Sequence, residues 1–387
     1  MNYVPYARQH IDEADIKGVI EVLTSDFLTQ GPAVERFEQA VAAYCGVQYA
    51  VAVNSATSAL HIACLAAGLG SGDMLWTSPN TFVASANCGL YCGADVDFVD
   101  IDPKTYNMSV NSLRQKLELA ILANTLPKVI IPVHFAGQSC AMEEIESLAN
   151  EYGFTIIEDA SHAIGGLYRQ NKIGSCRYSD MTVLSFHPVK IITTGEGGMV
   201  LTNNKRLYDA LVLCRSHGIT RNPDLMTEDS HGPWYYQQVD IGYNYRLTDL
   251  QAALGVSQLQ RIDEFVRRRH QLADRYNELL RDLPLTLPYQ HSDNYSAYHL
   301  YVIRLQLDKL RKSHRQIFEE LRAKGIGVNL HYIPVHTQPY YQKMGFRRGQ
   351  FPQAEQYYSE AISLPMYYEL TNEEQDYVIA TVNEVLR

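Results

Sequence analysis

Three short stretches of the 387-residue sequence set a reactive side chain where its surroundings would make it act. In "TVLSFHPVKIITTGEGGMVLT", Lys190 follows three residues after His187 among Pro188, Val189, Ile191 and Ile192. Apolar surroundings disfavour the charged form of lysine, and the neutral amine is what attacks an aldehyde to form a Schiff base. The same residue also reads as a surface lysine laying its stem along apolar neighbours. In "FTIIEDASHAIGG", Glu158 and Asp159 close an apolar run, where a buried carboxylate needs a cationic or hydrogen-bonding partner to offset desolvation. Asp159 is the better candidate because Ser161, His162 and small residues follow it at once; an acid capping the next loop is the plainer reading. In "VNSATSALHIACLAAG", an apolar run ends at Asn54, and a helical pattern starts near Thr57. The free amides and positive end of such a helix suit a phosphate, while Ser55 or Thr57 also reads as an ordinary cap.

The three stretches share one ligand chemistry. Each lies at the end of an apolar run, in the chain order phosphate cup, acid, amine. Pyridoxal 5′-phosphate has a phosphate, a ring nitrogen that a carboxylate keeps protonated and an aldehyde that an amine captures, so its three handles match. "GLGSGD", Gly68 to Asp73, follows a helical pattern instead of a strand, so the mechanics of a dinucleotide-binding loop fail there.

Holding these residues together requires a sheet. From Tyr49 to Asn203, apolar runs alternate with amphipathic stretches, which predicts an α/β fold. Seven strands are predicted, at "YAVAVN", "MLWTS", "DVDFVD", "KVIIPVHF", "FTIIED", "MTVLSF" and "GMVLTN". Runs apolar on both faces suit a mostly parallel sheet covered by helices on two sides, whose ligands gather beyond the carboxyl ends of the strands. "SLRQKLELAILAN" and "AMEEIESLANEYG" read as crossover helices, the second stopping at Gly153. Leu247 to Leu283 keeps helical periodicity over too great a length for one core helix, so it is expected to pass from a large domain into a small one. After Pro284, "YHLYVIRLQL" reads as a strand, "SHRQIFEELRAKG" as a helix and "IGVNLHYIPV" as another strand. The expected division is a large domain over 1–260 and a smaller C-terminal α+β domain over 261–387, with a tight interface because no linker composition separates them.

A net charge of -10, with no basic run longer than Arg267 to Arg269, leaves no footprint for nucleic acid or anionic membrane. Asp12, Glu13, Asp15 and Lys17 interrupt the region a secretory signal would need, and no window approaches the roughly 18 apolar residues of a membrane span. A cytoplasmic location is expected. Seven scattered cysteines without a CxxC pair fit free thiols in a reducing compartment, and no metal is expected.

The chain resembles the DegT/DnrJ/EryC1/StrS sugar aminotransferases, which have the aspartate aminotransferase fold (fold type I). The likeness runs nearly end to end, through "LTQGPAVERFE", "NSATSALH", "EDASHAIGG", "SFHPVKIITTGEGG", "RSHGI", "GYNYRLTDLQAALG" and "AISLPMY". Within the family it is most similar to the branch that forms UDP-4-amino-4,6-dideoxy-N-acetyl-β-L-altrosamine in pseudaminic acid synthesis. The resemblance implies that Lys190 bonds the aldehyde of pyridoxal phosphate and then shuttles a proton, and that Asp159 pairs with the pyridine nitrogen. It sets His162 against the ring oxygen, where many members have glutamine, and Phe82 of "TFVASAN" on the ring face. Ala56, Thr57 and Ser185 would hold the phosphate. Asn244, in "GYNYRL", is similar to the asparagine that members lend across a dimer interface, implying a homodimer with shared active sites; it also reads as a loop asparagine making its own turn. For the sugar nucleotide the matched positions are Tyr6, Asp26, Phe27, Leu28, Thr29, Asn329, Leu330, His331 and Tyr332. His187 and His217 match motifs without a role.

The implied activity is ping-pong transfer of an amino group from L-glutamate to C4 of a UDP- or dTDP-linked 4-keto-6-deoxy sugar. Three rivals remain: a sugar dehydratase, which carries histidine where Lys190 stands; an aminoarabinose-type substrate; and a cofactor-binding regulator without turnover.

Overall fold

All seven predicted runs form strands in the computed structural model, which describes residues 3–387. They are β1 Tyr49–Val53, β2 Met74–Thr77, β3 Asp95–Phe98, β4 Val129–Ile131, β5 Thr155–Asp159, β6 Met181–Ser185 and β7 Gly198–Thr202. One sheet joins them in the order β1-β7-β6-β5-β4-β2-β3. Its pairings are parallel except the two made by β7, with β1 and β6. The connection from β6 to β7 contains no helix to carry a crossover, and β7 returns antiparallel.

Alternate residues of the strands enter different apolar clusters, which is why the runs are apolar throughout. Val183 of β6 and Ile157 of β5 face the helices Ala56–Ala66 and Ala84–Tyr91. Leu184 packs with Phe37 and Ala252 on the other side, and Ile156 packs with Leu117 and Leu148 of the two crossover helices. The helix Met142–Tyr152 ends at Gly153 in the left-handed conformation, as the sequence predicts.

The long helical stretch is two helices, Asp249–Leu259 and Ile262–Leu280. Arg261 leaves the helical region at the break and pairs with Asp12 and Asp15 at 2.7 and 2.6 Å. The second helix packs on a three-stranded antiparallel sheet of β8 Leu285–Thr286, β9 Tyr301–Leu305 and β10 Ala361–Leu364. Val4 joins that core and bridges to Ile326. Val335, Tyr341 and Tyr357, from the C-terminal part of the chain, belong to the apolar cluster of the large sheet.

One expected strand is corrected. "IGVNLHYIPV" is irregular, bridging only at Ile326 and Asn329, and the third strand of the small sheet is instead "AISL". Its backbone groups are divided among several partners: Gly327 N–H donates to the Val4 carbonyl at 2.7 Å, Asn329 exchanges bonds with Ser363, Tyr332 N–H donates to Asn80 Oδ1 at 3.2 Å, and Tyr357 Oη donates to the His331 carbonyl at 2.6 Å. Pro334 has no N–H to offer a ladder. Among the described residues, no helix is long and apolar enough to cross a membrane.

Candidate active site

Five strands deliver residues to one cleft beyond their carboxyl ends. β1 leads to Ser55, Ala56 and Thr57, β2 to Thr81 and Phe82, β4 to Val133, β5 to Asp159 and β6 to Ser185. The cleft has a volume of about 300 Å³. Of the positions singled out from sequence, Tyr6, Ala56, Thr57, Phe82, Asp159, His162, Ser185, Lys190, His331 and Tyr332 line it.

The phosphate-like end is a helix start held against two strands. Ser55 caps the helix Ala56–Ala66, its Oγ accepting the Ser58 N–H at 3.1 Å, which leaves the Ala56 and Thr57 amides at the open end. Gly198 sits level with both Val53 and Ser185. A Cβ there would lie 2.5 Å from Ala56 N and from Ser55 O, so only glycine lets β7 come this close to the cup.

Asp159 is 5% exposed and accepts two hydrogen bonds, from Ser85 Oγ at 2.6 Å and from Ser161 N–H at 3.1 Å. Both donors are neutral, and no Lys, Arg or His among the described residues forms an ion pair with it. Lys190 reaches the same cleft from the turn after β6, its own N–H bonded to the His187 carbonyl at 2.9 Å. Burial pushes its amine down to about 8, against the upward pull of Asp159.

Imidazoles and a phenol form the wall facing Lys190. Ala136 N–H donates to His162 Nδ1 at 3.3 Å, so the hydrogen of the neutral ring is on Nε2, where it meets Tyr332 Oη at 3.0 Å. The proton of Tyr332 is therefore free to point elsewhere. His299 packs on His162 with ring centroids 4.4 Å apart, and its buried Nδ1 has no partner. Burial, reinforced by the charge of Lys190, holds His162 and His299 well below the ordinary range and His331 at about 3. Burial likewise raises the Tyr332 phenol.

The sequence pattern of the DegT/DnrJ/EryC1/StrS aminotransferase family matches residues 9–383. The chain belongs to this family. It is 39% identical to the spore coat polysaccharide biosynthesis protein SpsC of Bacillus subtilis, over 100% of this chain and 98% of that one. It is 37% identical to the UDP-4-amino-4,6-dideoxy-N-acetyl-β-L-altrosamine transaminase of Campylobacter jejuni, over 98% and 97% of the two chains. Among solved structures it resembles Helicobacter pylori PseC, an aminotransferase involved in pseudaminic acid biosynthesis, with a TM-score of 0.90, 32% identity and coverage of 100% and 99%.

Seven of the matched positions lie outside the cleft. Asp26, Phe27, Leu28, Thr29, Asn244, Asn329 and Leu330 do not line it. Asn329 is adjacent, its amide 3.5 Å from His331 Nε2. Asn244 is exposed and bridges to Ser216, and the loop before it exposes Trp234 at 72% and Ile241 at 75%. Leu28 and Thr29 lie against the start of the helix Asp249–Leu259. His187 lies on the cleft rim and is exposed. His217 sits at φ 60° in the turn before Gly218.

Sequence reasoning passed over Ser85, Asn80 and His299. Ser85 lies three residues after Phe82 in a stretch read only for its aromatic, and His299 is the second residue of a run read only as a strand. Among the described residues, no group of three or more His, Cys, Asp or Glu is arranged to hold a metal ion.

Proposed function

We propose that the chain is a pyridoxal-phosphate aminotransferase moving an amino group from L-glutamate to C4 of a UDP-linked 4-keto-6-deoxy sugar, forming UDP-4-amino-4,6-dideoxy-N-acetyl-β-L-altrosamine. The observation that carries the chemistry is Asp159, a buried carboxylate given only neutral partners and set across a cleft from an amine near its neutral form. A protonated ring nitrogen would supply the missing cation. The Ala56 and Thr57 amides with Ser185 fit the phosphate, Lys190 fits the aldehyde, and Phe82, 58% exposed at the cleft, has an open face for the ring.

When bound, the cofactor supplies an electron sink for the pair left by a broken Cα–H bond. Lys190 supplies the base: with its amine near 8, a usable neutral fraction exists at physiological pH, and it takes the donor's α-proton and later delivers one to C4 of the acceptor. Asp159 keeps negative charge beside the sink. The neutral imidazoles add no competing cation to the wall.

The altrosamine transaminase and PseC support this sugar. A homodimer completes the proposal, because Asn244 and Asp26 to Thr29 lie outside the chain's own cleft, in segments that expose Ile241 and Phe27. The reading takes residues 1–260 and 261–387 as the two domains. Free thiols suit a cytoplasmic site.

The test is incubation of the purified protein with glutamate and a panel of UDP- and dTDP-linked 4-keto sugars, with products read by mass spectrometry. The UDP-linked N-acetylated 4-keto sugar is expected to be preferred, and preference for another would move the reading to that substrate. Borohydride reduction followed by peptide mapping should place the cofactor label on Lys190. Lys190→Ala should abolish turnover while leaving the circular dichroism unchanged; retained turnover would remove the lysine from the mechanism.

A further inference from the structure

The turn that leads into β9 brings a buried imidazole, His299, to the cleft, and its backbone is held from two sides. Tyr298 has φ 46°, in the left-handed region, where a residue with a side chain is strained by about 1–3 kcal/mol. On one side lies the loop after β4: Ala297 N–H donates to the Gly137 carbonyl at 3.0 Å, and Leu300 N–H to the Ala136 carbonyl at 3.3 Å. Gly137 has φ 107°, and a Cβ there would lie 2.7 Å from Tyr298 N, so glycine is what lets the two loops meet. On the other side Arg269, 2% exposed, donates through Nη1 to the carbonyls of Tyr298, His299 and Met366 at 3.1, 3.2 and 3.1 Å. These partners are carbonyls, and none is a carboxylate. Strain and a buried cation without a counter-charge each cost stability, and here both fix the place of His299.

The ring so placed has hydrogen-bonding capacity left over. His299 is 2% exposed and lines the cleft together with Lys190, and its buried Nδ1 has no partner. A buried N–H without an acceptor is rarer than a buried lone pair without a donor, so the neutral ring carries its hydrogen on Nε2. Lys190 also faces a second, small cavity of about 10 Å³, which it shares with Arg269. The amine and the guanidinium that holds His299 thus border one narrow space. Among the described residues no arginine lines the cleft. The α-carboxylate of an amino-acid substrate sits on the carbon from which Lys190 takes its proton, so that anion must be received beside the lysine.

We propose that His299 is a specificity-determining residue whose Nε2–H receives the α-carboxylate of the amino-acid substrate, with Arg269 as the residue that positions it. This rests on Lys190 being the base, and it holds whichever amino acid gives up its nitrogen.

The holoenzyme is first given L-glutamate, L-glutamine, L-aspartate and L-alanine in turn, and keto-acid release in a single turnover selects the best substrate. A best substrate other than glutamate corrects the proposed function and leaves the role of His299 standing; no release with any of them overturns both. Calorimetry then measures the Kd of two analogues of that amino acid: its α-methyl form, which has no α-proton to lose, and the amine that lacks the α-carboxyl group. His299→Leu should weaken the α-methyl form about tenfold and the amine less than about twofold. His299→Gln, whose amide N–H reaches the place of Nε2, should recover all but about threefold of that loss. His299→Asn, whose shorter amide falls short of it, should bind as the leucine variant does, which keeps the test open if the leucine variant fails to fold. In single turnovers of the leucine variant, the amino-acid half-reaction should fall about fivefold more than the sugar half-reaction. The proposal is overturned if the substitutions weaken both analogues equally or neither, if glutamine rescues no better than asparagine, or if the two half-reactions fall together.

Discussion

Glu158 and Asp159 stand side by side at the end of β5, on opposite faces of the sheet, and their surroundings differ in kind. Glu158 has an ionisable neighbour in His134, whose Nε2 lies 2.5 Å from its carboxylate, and it also accepts hydrogen bonds from Ser179 and from Thr182 Oγ1 at 3.0 Å. Burial pushes its carboxyl up, but His134 and the two hydroxyls outweigh that and leave it below the usual range. Asp159 has two neutral donors and, among the described residues, no ion-pair partner, with Lys190 acting on it only across the cleft. A carboxylate whose charge is answered within the protein holds strands together; one left half answered is waiting for a ligand. The apolar strand looks the same before both, so only the partners distinguish a structural acid from a functional one.

Substituting each acid by its amide separates the two cases. Asp159→Asn keeps an acceptor for Ser161 N–H and a polar contact for Ser85, so the cofactor-free protein should unfold at nearly the same urea concentration. Amino transfer, measured as kcat/KM, should fall on the order of a thousandfold, about 4 kcal/mol, because the charge proposed to answer a ring nitrogen is gone. Glu158→Gln should do the reverse. Leaving His134 buried without its counter-charge should cost about 3 kcal/mol of stability in urea unfolding, while kcat/KM of the folded enzyme changes a few-fold at most. If Asp159→Asn proves the more destabilising of the two, the contrast between the neighbours is wrong.

The pH dependence of that second difference sharpens the comparison. The folded Glu158 carboxyl lies below its ordinary value, so its contribution is complete above about pH 4.5 and is lost as pH falls through the folded value. Burial lowers the His134 value, but Cys140 and then Glu158 outweigh that and raise it, so its contribution is complete below about pH 6.5 and is lost as pH rises through the folded value. The stability gap between wild type and Glu158→Gln should therefore plateau between about pH 4.5 and 6.5 and shrink on both sides, by at most about 1.4 kcal/mol per pH unit for each group. A gap independent of pH would mean that the pair is not charged.

Much of this was legible in the residues themselves. The seven strands announce themselves as apolar runs because both faces of the sheet are covered, and Lys190, Asp159 and the Ser55 to Thr57 turn are recognisable because chemistry at strand ends has few designs. Ser85 was not legible, because a helical serine acquires its meaning from a carboxylate 74 residues away. His299 hid in a strand-like run for the same reason. "IGVNLHYIPV" misleads because its apolar alternation mimics a strand, whereas its backbone partners are scattered, from Val4 and Ser363 on the main chain to the side chains of Asn80 and Tyr357. Asn244 and Asp26 to Thr29 came only from resemblance, and no single-chain contact with the cleft could have revealed them.

Tyr332 lies between the two acids in character, satisfied on one side and open on the other. Its oxygen accepts from His162, whose other nitrogen is committed to Ala136 N–H, so its own proton is the one donor in this chain of bonds without a fixed acceptor. Tyr332→Phe removes that donor and leaves His162 Nε2–H without its partner. The loss of one hydrogen bond to a ligand oxygen should lower kcat/KM about fivefold, roughly 1 kcal/mol, far less than the loss of Asp159. The two half-reactions locate the acceptor: a decrease confined to the sugar half-reaction assigns the hydroxyl to the keto sugar, and an equal decrease in both assigns it to the cofactor. If neither rate moves, the phenol belongs with Glu158, as a group whose hydrogen bonds serve the protein and nothing else.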